Sequence, residues 1–323
     1  MSREVFIVIK RMNMELKFLK VNKMENILVV EGIKKDFGDF VLENVSFELE
    51  ENCFTGFIGV NGAGKTTTIK TILGQILKDC GTISFFEKDI NMNENEIKNM
   101  IGVVLDEGYF YNNLSLKEMK NIISSAYENW DDEVFNNYIK RFNLKLNQRI
   151  EALSKSMRMK YSIAIALSHK AKFLIIDEPT NGIEPSLRNE LINILVEFMK
   201  KGGKGVFYAT HTTLDLEKVA DKLILIDKGQ IVFNERKDTL ISSHKIIKGK
   251  QNILNEDVKK SFISLNYYGE YFEGIVHDIS IFKSLEIHLC ILQNKFNFRN
   301  DNYKGLWLYV ITLCSYFSHF YKK

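Results

Sequence analysis

The residues Gly59-Val60-Asn61-Gly62-Ala63-Gly64-Lys65-Thr66-Thr67 carry the spacing G-x-x-x-x-G-K-[ST] of a phosphate-binding loop. Glycines at those places let successive backbone N–H groups turn inward around phosphate oxygens. A helix beginning at the end of the loop adds a partial positive charge of about half a unit. In such a loop Lys65 reaches the β- and γ-phosphates and the Thr66 hydroxyl binds Mg²⁺, with Asn61, Gly62, Gly64 and Thr67 completing the cradle. A nucleoside triphosphate and Mg²⁺ are the expected ligands.

Cleaving a γ-phosphate needs charge neutralisation, a metal and an oriented water. Further polar residues with those abilities follow apolar runs later in the chain. Asp177 ends the run Phe173–Ile176 and is placed to hold Mg²⁺, directly or through water. Glu178 comes next, and strand alternation would turn it to the opposite side, where a carboxylate could poise a water for attack. His211 follows the run Gly205–Ala209 and could touch the γ-phosphate; a strand-end histidine serves equally well as a satisfied structural residue. Asp106 follows Ile101–Leu105 and could touch the attacking water or the metal; taken alone it reads as a solvated turn. Phe37 offers a ring to a nucleotide base or to the core.

These residues need a scaffold, and the pattern supplies one. Cys53–Ile58 reads as a buried strand into the loop and Lys65–Leu77 as a helix out of it. Ile27–Phe37 and Val41–Leu49 alternate apolar and polar around Gly38-Asp39, as an antiparallel pair does. Gly81–Phe85 is a further strand and Glu94–Met100 a short polar helix. Leu114–Lys170 reads as mostly helical, with Asp131-Asp132 capping Glu133–Phe142 and a second helix over Ser154–His169. Helix Pro185–Lys201 is stopped by Gly202-Gly203, and helix Thr213–Ala220 leads to strand Leu223–Asp227 and a hairpin return over Gln230–Phe233. Strands alternating with helices after a phosphate loop imply an α/β class. The expected fold is a P-loop NTPase core with a mainly parallel sheet, an antiparallel β subdomain and an inserted helical subdomain at about 110–171. Residues 1–23 form a basic leader, expected to be disordered, ahead of an ATPase domain over 24–235. A small C-terminal appendage spans 236–279, and a tail over 280–323 has no legible structure.

Composition narrows the classes. The net charge of +3 is too small to argue for nucleic acid, and 45% hydrophobic residues with 26% charged are ordinary for a globular chain. Four scattered cysteines show neither C-x-x-C nor zinc spacing, as suits a reducing compartment. No run of eighteen apolar residues is present, and Leu306–Phe320 is too short to span a bilayer comfortably. The two prolines, Pro179 and Pro185, both sit in the stretch after Asp177, where a turn and a helix start must be set.

The chain resembles the nucleotide-binding subunits of ATP-binding cassette (ABC) proteins over about Met24–Phe233. The residues that carry the likeness are GVNGAGKTT at Gly59–Thr67, LSKSM at Leu153–Met157, FLIIDEPTNGIEP at Phe173–Pro185 and ATH at Ala209–His211. The resemblance implies that Phe37 stacks on adenine, Glu178 is the catalytic base and His211 is the switch histidine. It implies too that Ser154, at a helix N-terminus, faces the ATP of a second subunit. Two chains would then sandwich two nucleotides head to tail, as a homodimer or heterodimer, and a separate integral-membrane permease would dock on the helical subdomain at the cytoplasmic face of the membrane. Three departures stand out. The family's LSGGQ is LSKSM here, its usual glutamine is Asp106, and the aspartate of its inter-subunit loop is Glu184. An LSK signature with an acidic residue at the glutamine position is similar to bacterial exporter-type (ABC-2) ATPases, in which turnover could be slow because Ser156 adds a Cβ where phosphate approaches. The alternatives are a soluble ATPase of the family and a nucleotide-binding regulatory protein with weakened hydrolysis. Only about ninety residues separate Lys65 from Ser154, too few for the long coiled coil of chromosome-maintenance members.

Overall fold

A computed structural model describes residues 25–106, 109–180, 183–243, 245–276 and 290–291. The leader over 1–23 and all of the tail over 280–323 except Cys290–Ile291 lie outside the described residues.

The first strands, β1 (Asn26–Asp36) and β2 (Val41–Glu50), pair antiparallel, and apolar residues alternate along both. One face is therefore buried and the other is wet. The next strand, β3 (Phe54–Ile58), is buried at all five positions, as a strand covered on both faces must be. It runs into the phosphate loop and helix α1 (Lys65–Ile72). That helix is shorter than its apolar periodicity suggests. Gly74 takes φ +71 and the N–H groups of Gln75 and Ile76 both fold back on the Lys70 carbonyl, which closes the last turn and leaves Leu77 exposed.

Strands β4 (Cys80–Phe85) and β5 (Lys88–Asp89) complete a four-stranded sheet of order β2-β1-β4-β5. Helix α2 (Glu94–Met100) and β6 (Ile101–Val104) return the chain to the centre. Three helices follow: α3 (Leu116–Ser124), α4 (Asp132–Arg141) and α5 (Lys155–Leu167). Their starts are written locally. Ser115 and Glu118 form a reciprocal capping box, and the Asp131 carboxylate accepts from the Val134 N–H. The Tyr161 hydroxyl donates to the Leu116 carbonyl at 2.8 Å and ties α5 to α3.

Strand β7 (Phe173–Asp177), helix α6 (Pro185–Met199), β8 (Gly205–Thr210), β9 (Lys222–Asp227) and β10 (Gln230–Arg236) finish the central sheet, whose order is β10-β9-β3-β8-β7-β6. All its pairings are parallel except β10 against β9. Alternation along β7 sends Leu174 and Ile176 into a core shared with α3–α6, and Phe173 and Ile175 into a core shared with the antiparallel sheet. The two sheets meet at Phe47, Phe57 and Phe207, with ring centroids 5.0–5.9 Å apart. Each such pair adds roughly 0.5–1.5 kcal/mol beyond its burial.

The stretch Thr213–Ala220, expected as a helix, holds only a 3₁₀ turn over Thr213–Asp215 followed by turns. The Asp215 side chain is buried against Thr180, Tyr208 and Arg188, and those tertiary bonds override the local periodicity. Beyond the central sheet, α7 (Lys237–Ser243), β11 (Lys245–Lys250), α8 (Glu256–Lys260), β12 (Phe262–Tyr268) and β13 (Tyr271–Val276) build a further antiparallel sheet, to which β14 (Cys290–Ile291) adds through β11.

One turn carries unusual weight. Gly229 takes φ +78, donates to the Ala63 carbonyl in the phosphate loop at 2.9 Å, and accepts from Glu43 N at 2.9 Å. A Cβ there would stand 1.9 Å from the Val41 carbonyl oxygen. Gly229→Ala is therefore expected to cost about 3 kcal/mol, through backbone strain plus displacement of β2. Gly202→Ala also sits at positive φ, +69, but has open space around it, so it should cost only about 1 kcal/mol. Denaturant unfolding of the two variants checks the difference.

Candidate functional site

Parallel pairing places the carboxyl ends of β3, β8, β7 and β6 side by side along one edge of the sheet. The phosphate loop, His211, Asp177-Glu178 and Asp106 follow those four ends in turn. Ligands of open α/β sheets bind along this edge. Residues far apart in the chain thus converge because of strand order.

The loop requires its glycines. Gly64 takes φ +111, and a Cβ on it would stand 2.9 Å from the Phe40 ring. Lys65 is almost fully buried; its Nζ lies 2.7 Å from the Gly59 carbonyl, 3.2 Å from that of Val60 and 3.1 Å from Glu178 Oε1. The Thr66 hydroxyl donates to Asp177 Oδ2 at 2.7 Å. His211 Nδ1 lies 2.7 Å from Glu178 Oε2, within hydrogen-bond reach. Lys65, Thr66, Asp177, Glu178 and His211 form one contiguous polar set.

Burial holds the Asp177 carboxyl above the ordinary carboxylate range, and the neighbouring Glu178 and Asp106 push the same way. The Thr66 hydrogen bond and Lys65 oppose them. The second oxygen, Asp177 Oδ1, is buried with no hydrogen-bond partner. An orphaned carboxylate oxygen beside a threonine hydroxyl is a hard-oxygen donor set, and it fits Mg²⁺. Among the described residues no three His, Cys, Asp or Glu converge as an all-protein metal cage. A Mg²⁺ that shares its shell with phosphates and water needs none.

Strand alternation does not explain Glu178. The strand ends at Asp177, and Glu178 takes φ +48 with its N–H bonded to the Ala209 carbonyl at 3.0 Å. A non-glycine residue held there stores about 1–3 kcal/mol of strain. The left-handed kink, not the pleat, lets both carboxylates serve one loop: Asp177 meets Thr66 while Glu178 meets Lys65.

Asp106 is paired with Lys155, Nζ to Oδ1, at 2.7 Å. Two of the departures from LSGGQ and its companion glutamine are thus partners, and the pair ties the first turn of α5 to the end of β6. Ser154 stands apart from the polar set: its hydroxyl accepts from the Met157 N–H at 3.2 Å and caps α5. Phe37 is about half exposed, with its centroid 6.4 Å from that of Phe40, the ring that packs on Gly64. Asn61 and Gly62 are exposed on the loop, and the Thr67 carbonyl accepts from Thr71 inside α1.

Sequence reasoning missed Phe40, Lys155 as the partner of Asp106, and a buried group of Thr180, Arg188, Tyr208 and Asp215. Phe40 carried a signal, since an aromatic residue stood directly before an alternating strand. The buried group carried none, because its members come from four separate stretches.

A glycine loop between a central parallel strand and a helix, with an aspartate from a nearby strand tip on the loop threonine, defines a P-loop nucleotide-binding protein. Residues 42–181 match the ABC transporter family. The uncharacterized ABC transporter ATP-binding protein YdbJ of Bacillus subtilis is 31% identical over 212 residues, covering 64% of this chain and 68% of that protein. The linearmycin resistance ATP-binding protein LnrL of the same organism is 31% identical over 221 residues, covering 67% of this chain and 71% of that protein. A solved ATP-binding subunit of an ABC transporter superposes with a TM-score of 0.61 at 24% identity, covering 67% of this chain and 92% of its own, which shows the shared fold. The chain belongs to the ABC transporter family, as an ATP-binding subunit of the kind that energises membrane transport.

Proposed function

We propose that the chain binds ATP with Mg²⁺ along the carboxyl edge of its central sheet and hydrolyses it to drive export through a separate permease. The observation that carries this reading is the contiguous set Lys65–Glu178–His211 beside Thr66–Asp177. Backbone amides of the loop from Asn61 to Gly64 and the α1 N-terminus grip the phosphates, with Lys65 against the outer two. Thr66 and Asp177 would hold Mg²⁺, which supplies charge neutralisation on the phosphate oxygens. Glu178 orients the attacking water as its base, and His211, hydrogen-bonded to Glu178, steadies that carboxylate and faces the γ-phosphate. Asp106 would reach the water or the metal from the neighbouring strand tip, with Lys155 setting its position. Phe37 offers its exposed ring to adenine. Ser154 and the α5 N-terminus serve the nucleotide of a second chain in a head-to-tail pair.

One further feature supports a membrane partner. A cleft of about 480 Å³ opens between α2, α3 and α5, lined by Ile97, Leu105, Tyr109, Phe110, Ile123 and Tyr127. Exposed Tyr109, Tyr111 and Ile122 lie on and beside it, more apolar surface than a solvated face needs. A cytoplasmic segment of the permease fits this cleft, which sets the chain on the inner membrane face. Residues 24–235 serve as the ATPase unit and 236–279 as an appendage.

The purified chain should hydrolyse ATP only with Mg²⁺ present. Membranes should retain it when its permease is co-expressed, and Ile122→Asp should lose that retention without a lower melting temperature. Failure to hydrolyse ATP, even with the permease present, would remove the ATPase reading. Equal retention of the variant would remove the cleft from the interface.

A further inference from the structure

The Glu178–His211 pair joins two segments that leave different strands, β7 and β8. Nothing in either segment's local sequence sets their spacing. They meet a second time, deeper in the protein. The Thr180 hydroxyl, two residues past Glu178, donates to Asp215 Oδ2 at 2.6 Å, and Asp215 lies four residues past His211. The same oxygen accepts from the Tyr208 hydroxyl at 3.1 Å, and Arg188 Nε on α6 stands 3.3 Å from Oδ1. Thr180, Tyr208 and Asp215 are each no more than 4% exposed. Burial and the adjacent Asp215 keep the Tyr208 phenol protonated, so it donates.

A buried carboxylate without partners is costly, and this one has three. Stability alone would be served as well by an apolar group of the same shape. The polar set lies where the two site-bearing segments touch, and Glu178 needs such support. Its φ of +48 is strained and persists only if the chain on both sides is held. The Glu178 N–H bond to Ala209 holds it on one side. On the other side Thr180 is the next described hydrogen-bond anchor.

We propose that Asp215, acting through Thr180, is a positioning residue that sets the distance between Glu178 and His211. The inference rests on the reading of Glu178 and His211 as the hydrolytic pair. A displacement near 1 Å in such a constellation costs up to about a hundredfold in rate.

The test measures kcat and KM for Mg²⁺·ATP with four variants of the full chain. Thr180→Val keeps the volume and removes the link; its kcat should fall about ten- to a hundredfold with KM changed by less than about twofold. Thr180→Ser restores the hydroxyl and should recover kcat to within about threefold of the parent. Tyr208→Phe removes a bond to the same carboxylate oxygen but leaves the Thr180–Asp215 link in place, so its kcat should stay near the parent value. A merely structural network predicts another result: Thr180→Val and Tyr208→Phe lower the melting temperature together and leave kcat of the folded protein alone. Parent-like kcat in Thr180→Val, equal slowing in Tyr208→Phe, or no rescue by Thr180→Ser overturns the proposal. Thr180→Ala, read the same way, stands in if the valine variant fails to fold. Glu178→Gln separates the two levels. If it is slow while Thr180→Val is not, the clamp alone falls; if it turns over like the parent, the hydrolytic pair falls and the clamp with it.

Discussion

Glu178→Gln is expected to keep ATP bound and to cut turnover by about two to three orders of magnitude, the usual loss when a positioned general base is removed. Glutamine has nearly the same shape and can still accept from His211, so the strained turn and the fold should survive. What disappears is the negative charge that draws a proton from water. The carboxylate now stands between two donors, Lys65 Nζ at 3.1 Å and His211 Nδ1 at 2.7 Å. Both contacts run from side chain to side chain, so phosphate binding by the loop amides is left intact. Single-turnover hydrolysis together with equilibrium binding of labelled ATP separates the two effects. Turnover within about threefold of the parent would take Glu178 out of the chemistry.

Lys65→Ala should abolish measurable ATP binding. Each charge-assisted hydrogen bond to a phosphate contributes roughly 1.5–3 kcal/mol, and Lys65 is placed to make more than one. Its removal acts a second time through the acids around it. Lys65 is the cation nearest Glu178, and Asp177 and Asp106 lie close by. Without the ammonium a triphosphate would meet that carboxylate cluster with one cation fewer to offset the repulsion. Isothermal titration with Mg²⁺·ATP measures the loss. Binding within about tenfold of the parent would mean that the triphosphate is held elsewhere. Lys65→Arg would not substitute, since a planar fork does not reproduce the compact ammonium that bonds the Gly59 and Val60 carbonyls.

Much of this site was legible before any fold was known. The phosphate loop announces itself because its backbone geometry demands glycine at set positions, and Gly64 at φ +111 against Phe40 bears that out. The apolar runs into Asp106, Asp177 and His211 were readable as strands because a parallel strand covered on both faces has no polar positions to spare. The helix starts at Asp131 and Ser154 were written in their own capping residues. Two helix lengths were not. The run after Lys65 stops at Ile72 because Gly74 turns left-handed, and the run after Thr213 is broken because Asp215 is bonded to Thr180. Periodicity reports what a segment could bury, and neither of these limits is periodic.

The amino-acid sequence by itself determined which residues can do chemistry here and on which local element each one starts or ends. Phosphate chemistry needs particular side chains at short fixed spacings, and short spacings survive in one dimension. Only the tertiary structure decided which of those residues meet. Strand order set Lys65, Asp177, Glu178 and His211 along one edge. A left-handed residue aimed both carboxylates at one loop, Lys155 closed on Asp106, and Asp215 drew two distant segments together. Each of those contacts joins residues whose separation along the chain carries no energetic record, because the free energy that selects them arises only when the sheet has assembled.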